Sequence, residues 1–161
     1  MTMKDSLAFS RVRQRGCFFL DLAPAEAFKL FTATGERLWV PGWEPTILGS
    51  PPQQPGLVFL TGTGPDATIW TVVKSDPVSG QVCYSRVTPE SRAGLVQVSI
   101  VAVDQGSEVQ VEYDLTALSA EGAASLVPYS NSNFSRMMDD WRSLIVDMLA
   151  NAQPNLAALV V

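Results

Sequence analysis

The chain has 161 residues, 47% of them hydrophobic and 17% charged, with a net charge of −5 and no histidine. Such a composition suits one soluble globular domain and excludes a disordered chain. An acidic balance (pI near 4.6) repels phosphate backbones and anionic headgroups, so no nucleic-acid partner is expected. No segment approaches the ~20 apolar residues that span a bilayer, and the first 16 residues hold no apolar run. No membrane insertion is expected, and the cytoplasm is the expected location.

Leu7 to Leu22 reads as the first strand, with Arg11, Arg13 and Arg15 alternating along its solvated face. Cys17, Phe18, Phe19 and Leu20 are apolar on both faces and leave the facing of that strand open. Cys17 and Cys83 match no zinc or redox spacing and read as two buried thiols. Pro24 suits a first helical turn, and Ala25 to Thr32 forms a short helix with Phe28 and Phe31 on one face. Thr34 caps a second short helix through Gly35, Glu36, Arg37, Leu38 and Trp39, which Pro41 and Gly42 end.

From Trp43 onward the punctuation is that of strands. Trp43 to Leu48, Gly56 to Thr63, Ala67 to Lys74 and Gln81 to Thr88 are separated by clusters of Gly, Pro, Ser and Asp. Gly62, Thr63 and Gly64 read as a hairpin turn, not a phosphate loop. Leu95 to Val103 and Glu108 to Ala117 flank Asp104, Gln105, Gly106 and Ser107, a hairpin signal. The last strand alternates: Glu108, Gln110, Glu112 and Asp114 toward water; Val109, Val111, Tyr113 and Leu115 inward.

Residues 131 to 152 close the pattern. At 100° per residue, Phe134, Met137, Met138, Trp141, Leu144, Ile145, Met148, Leu149 and Ala152 fall in one apolar arc, with Asp139 and Asp140 on the solvent side. This helix is the only element long enough to cover a one-sided sheet, which suggests an apolar cavity beneath it. The tail from Leu156 to Val161 is apolar and short; it pairs at an edge, docks on the body or brings two chains together as a homodimer.

This order, with FFLDLAPAEAFKLFTATGERLWVPGWEP at residues 18 to 45, resembles the helix-grip superfamily abbreviated SRPBCC. The superfamily groups START-type lipid-transfer domains, pollen-allergen-like and pathogenesis-related proteins, polyketide cyclases and many bacterial proteins of unassigned role. Asp21 to Glu26 with Phe28 and Phe31 resembles the family's entry into its first short helix. Glu36 to Trp39 with Trp43 resembles its second. After Leu48 the chain carries prolines where plant members carry a glycine-rich loop. The resemblance implies an α+β fold: a seven-stranded curved antiparallel sheet wrapped around a long C-terminal helix, two short helices between strands 1 and 2. One domain is expected over 1–161, its core about 6–152 and a tail over 153–161. The resemblance further implies a pocket for lipids, sterols, polyketides or aromatic compounds, and supplies no catalytic motif residue by residue.

The absence of histidine removes the commonest metal ligand and any Ser-His or Cys-His pair. No metal and no cofactor are expected. What remains is an apolar pocket with a few polar groups. Its expected lining is Trp39, Trp43, Phe59, Trp70, Tyr84, Val98, Val111, Tyr113, Phe134, Met137, Met138 and Trp141, with Tyr129 near the mouth. Tyr84 and Arg86 share a strand face. If Tyr84 points inward so does Arg86, whose guanidinium then needs a carboxylate, for which Glu44 is the candidate, or an anionic ligand. The leading reading is a binder of a small hydrophobic or aromatic molecule. The alternatives are a metal-independent cyclase or hydratase using Glu44, Tyr84, Arg86 or Tyr113, and a partner-binding or dimerising module with a closed core.

Overall fold

The computed structural model describes residues 10–49 and 53–159. Residues 7–9 of the expected first strand and 160–161 of the tail lie outside the described residues. The strands are β1 (Arg11–Leu20), β2 (Thr46–Leu48), β3 (Val58–Thr61), β4 (Thr68–Asp76), β5 (Gln81–Thr88), β6 (Arg92–Val103) and β7 (Gly106–Ala117). They form one antiparallel sheet of seven strands in the order β1-β7-β6-β5-β4-β3-β2. The helices are α1 (Pro24–Lys29), α2 (Ala120–Ser125) and the long α3 (Asn131–Ala152), with a 3-10 turn at Gly35–Leu38. This is the expected curved sheet with its C-terminal helix.

The alternation in β7 appears as read: Val109, Val111, Tyr113 and Leu115 are buried, and the acidic residues between them face out. Arg11 donates to both carboxylate oxygens of Asp114 (2.7 and 2.6 Å), and Arg15 reaches Glu112 at 3.1 Å. These exposed pairs join β1 to β7 and, screened by solvent, add little to stability. The open facing of β1 is settled by its pairing with β7. Phe18 lies opposite buried Val109 and turns in; Phe19 lies opposite Glu108 and turns out.

That register corrects the reading of both cysteines as buried: Cys17 is exposed and Cys83 is only half-buried. Burial pushes the Cys83 thiol up, against a smaller pull from Lys74. A thiol-exchange reagent added to the native protein should therefore modify Cys17 fast and Cys83 slowly. Equal rates would contradict this facing of β1.

One boundary moves, one helix is added and the tail's course is fixed. Trp43, Glu44 and Pro45 precede β2 instead of opening it, because the Trp43 indole donates to Ala33 O (2.8 Å) and Pro45 O accepts from Arg37 (3.1 Å). Helix α2 is an addition to the expected elements; Ser119 caps it by accepting from Gly122 N (3.0 Å). The tail docks on the body: Leu156 is buried, and Lys29 Nζ donates to its carbonyl at 3.0 Å.

Helix α3 sits on β1 at Gly16. A Cβ there would lie 2.6 Å from Met138 Cγ and 3.1 Å from Phe134 Cε1, so the bare backbone admits the helix. Gln14 to Asn131 (2.9 Å) and Arg142 to Phe19 O (3.1 Å) fix its direction along the strand. This seating commits the Phe134 and Met138 side of α3 to β1. The Met137 and Trp141 side is left facing the middle of the sheet.

Candidate functional site

Between α3, the Gly35–Leu38 turn and the inner face of β3 to β7 lies a cavity of about 360 Å³. Met137 and Trp141 line it from α3, Glu36 from the turn, Val40 and Trp43 from the stretch between the turn and β2, and Tyr129 from the approach to α3. The sheet contributes Phe59 and Thr61 (β3), Thr68 and Trp70 (β4), Tyr84 and Arg86 (β5), Arg92, Val96 and Val98 (β6) and Tyr113 (β7), with Asp66 beside them. Inward alternation along β5 delivers Tyr84 and Arg86 together, as the sequence pattern requires.

The aromatic side chains form two walls. Phe59 stacks on Trp70 at 5.8 Å with 2° between planes, and Trp43 meets Trp70 edge-on at 5.5 Å. Opposite, Tyr113 packs with Tyr129 at 5.3 Å and with Trp141 at 6.2 Å. Such edge and offset contacts favour fixed ring positions.

Arg86 is 8% exposed, so its guanidinium is taken from water. Its Cζ lies 4.8 Å over the Trp70 ring, a cation–π contact. Its Nε has no hydrogen-bond partner among the described residues, and none of the ion pairs there, which join β1 to β7, includes it. Glu44, the carboxylate expected to meet Arg86, is exposed and lies off the cavity wall. The carboxyl that faces Arg86 belongs to Glu36. Burial pushes Glu36 up to about 8, and the Arg86 charge offsets only part of that rise. At neutral pH Glu36 is therefore mostly protonated and offers a hydroxyl donor, not a counter-charge.

The tyrosines differ in availability. Tyr84 donates to Phe31 O (2.6 Å) and accepts from Gln53 (2.8 Å), so its hydroxyl is occupied by the fold. Burial raises Tyr84 and Tyr113 alike; for Tyr113 the neighbouring Arg86 charge opposes the rise. Trp70 is fixed by Thr61 (2.9 Å), and Thr68 and Thr88 share a buried hydrogen bond of 2.7 Å.

Of the residues expected to line a pocket, Trp43, Phe59, Trp70, Tyr84, Val98, Tyr113, Met137 and Trp141 line this cavity. Trp39, Val111, Phe134 and Met138 are buried elsewhere in the core. Trp39 donates to Leu30 O (2.7 Å) and packs behind Trp141, while Val111 pairs with Gly16 under Phe134 and Met138. The reading from sequence missed Glu36, Val40, Asp66, Arg92, Val96 and the wall threonines. For Glu36 a signal existed: residues three apart eclipse in a 3-10 turn, so an inward Trp39 brings Glu36 to the inner side. Glu36, Asp66, Arg86 and Arg92 make the wall more polar than a purely apolar pocket. Among the described residues no group of three or more His, Cys, Asp or Glu is placed to hold a metal ion. No helix among them is long and apolar enough to cross a membrane.

No protein-family profile matches the sequence, and no curated protein matches it either. Solved structures do match. Ara h 8.0201 is similar at a TM-score of 0.64 with 14% identity, over 88% of this chain and 99% of that one. Norcoclaurine synthase from Thalictrum flavum is similar at 0.60 with 10% identity, over 85% and 87%. A protein from Rhodobacter sphaeroides is similar at 0.60 with 16% identity, over 87% and 93%. The chain has the helix-grip fold. Within that fold the cavity lies where sheet and final helix face each other. Norcoclaurine synthase has also been solved in complex with dopamine and hydroxybenzaldehyde, a structure similar to this one at a TM-score of 0.58 with 11% identity.

Proposed function

We propose that this protein binds a small, largely aromatic molecule in the cavity between sheet and α3. The observation that carries the reading is a void of about 360 Å³ lined by aromatic side chains from the sheet and from α3, with four ionisable groups in its wall. That volume falls within the ~300–1,000 Å³ common for small-molecule sites. Apolar burial at ~25 cal/mol per Å² would supply the affinity, and the polar groups the orientation. The likeness to norcoclaurine synthase, solved with two small phenols, agrees in size and chemistry with such a ligand.

Titration with small aromatic compounds should change tryptophan emission saturably, with one equivalent bound. Val98, on the inner face of β6, is the position for a blocking variant. Val98→Phe fills the void from the sheet side and should weaken binding more than tenfold while the protein still unfolds cooperatively. Binding that is unaffected by Val98→Phe would place the ligand elsewhere.

A second reading is favoured by one observation, the Glu36 carboxyl at about 8 inside the cavity. An acid poised near neutrality suits proton transfer to or from an aromatic substrate, as in a cyclase or hydratase. Turnover with a pH profile whose limb near 8 disappears in Glu36→Gln would support it. Full turnover in that variant would remove Glu36 from any such role.

A further inference from the structure

We infer that the ligand of this cavity is an anion: a planar aromatic molecule whose acidic group seats on the Arg86 guanidinium. The inference rests on the reading of the cavity as an aromatic-binding site and names the class of molecule it takes. Three observations carry it. Arg86 is more than nine-tenths buried and lines the void, yet its Nε has no acceptor among the described residues. Arg92, in the same wall, also has a buried Nε without a partner, while its Nη1 donates to Ser91 at 3.1 Å. The Arg86 Cζ lies over the Trp70 ring and Tyr113 is a hydrogen-bonding neighbour of the guanidinium, which leaves the Nε–H as the donor without an acceptor among the described residues.

A buried guanidinium with an unused donor is costly unless a ligand completes it. Carboxylates match its fork with two parallel hydrogen bonds; sulfonates and phenolates also accept from it. The surrounding groups are compatible. Glu36 is protonated at neutral pH and does not neutralise Arg86. Tyr113 is held protonated by burial and can donate to the same anion. Tyr84 is already committed to Phe31 and Gln53. Asp66, the remaining acid in the wall, is solvent-exposed and forms no ion pair among the described residues. Trp70, under the guanidinium, is held in place by stacking with Phe59.

The test uses two fluorescent probes of one skeleton, 1-anilinonaphthalene-8-sulfonate and its sulfonate-free parent N-phenyl-1-naphthylamine, at neutral pH. Charge-assisted hydrogen bonds to a buried anion predict that the sulfonate binds about tenfold more tightly or better. In Arg86→Met that preference should vanish, while the parent's affinity stays within about threefold and so reports that the cavity has kept its shape. Equal binding of both probes to the wild type would overturn the anion and leave the aromatic site standing. Failure of both probes would overturn the aromatic site itself. A sulfonate preference that survives Arg86→Met would remove Arg86 as the anchor. If Arg86→Met does not fold, the ratio in the wild type decides the proposal alone.

Discussion

Glu36→Gln will raise stability by under about 1 kcal/mol at pH 5 and by on the order of 4 to 5 kcal/mol at pH 8.5. Burial lifts the Glu36 carboxyl from 4.5 to about 8. Between those values the unfolded chain releases the proton and the folded chain keeps it. The unfolded state therefore binds fewer protons, and wild-type stability falls as pH rises from about 4.5 to 8, then levels off. Glutamine is neutral throughout and removes the slope. Among the described residues, no other shifted group titrates in this window. Asp114 and Asp76 are held low by hydrogen bonds from Arg11 and Ser79, so their effects lie below their ordinary value of 3.8. Burial raises Cys83 and Tyr84 from 9.0 and 10.0, so theirs open above the window, and the chain has no histidine. Urea unfolding of both proteins at several pH values measures the difference directly. A flat wild-type profile, or the same slope in the variant, would show that Glu36 is solvated and not part of the cavity wall.

A carboxyl that costs stability at working pH is the kind of group found at functional sites, where local cost is tolerated for chemistry. The anion inference and the proton-transfer reading both draw on it. As a proton donor it leaves Arg86 free for an anion; as an acid near neutrality it suits proton transfer. The same substitution separates them, because loss of turnover and loss of ligand selectivity need not coincide.

The sequence made the frame legible because its signals are periodic. The twofold alternation in β7 and the helical stripe of α3 each name an inner face without reference to the rest of the chain. The middle of β1 carries no such signal. Cys17 to Leu20 are apolar on both faces, and only pairing with Val109 and Glu108 assigns Phe18 inward and Phe19 outward. Which part of the α3 stripe meets the cavity was hidden for a similar reason. It depends on Gly16, a residue with no side chain, letting Phe134 and Met138 close on the strand. Arg86 was legible as a conditional: inward if Tyr84 is inward. Its partner was not, since Glu44 and Glu36 both sit near a tryptophan and local pattern does not say which loop folds over the sheet.

The position of Glu36 is set by the residue before it, and Gly35→Ala should destabilise the protein by more than about 3 kcal/mol. A Cβ on Gly35 would lie 1.7 Å from Lys29 O and 2.8 Å from Thr32 Oγ1. Those atoms belong to a buried relay in which Gly35 N donates to Thr32 Oγ1 (3.0 Å) and that hydroxyl donates to Lys29 O (2.8 Å). The nearest contact is backbone at the end of α1, so no side-chain rotation relieves it; the turn or the helix must shift. Gly42 provides the comparison. It has a φ of +71° with nothing within 4 Å, so Gly42→Ala carries only the left-handed backbone cost of ~1 kcal/mol. A shifted turn also displaces Glu36, so Gly35→Ala should flatten the slope of stability between pH 5 and 8 as Glu36→Gln does. If Gly35→Ala proves as mild as Gly42→Ala and keeps that slope, the turn is not packed beneath α1, and Glu36 loses its place opposite Arg86.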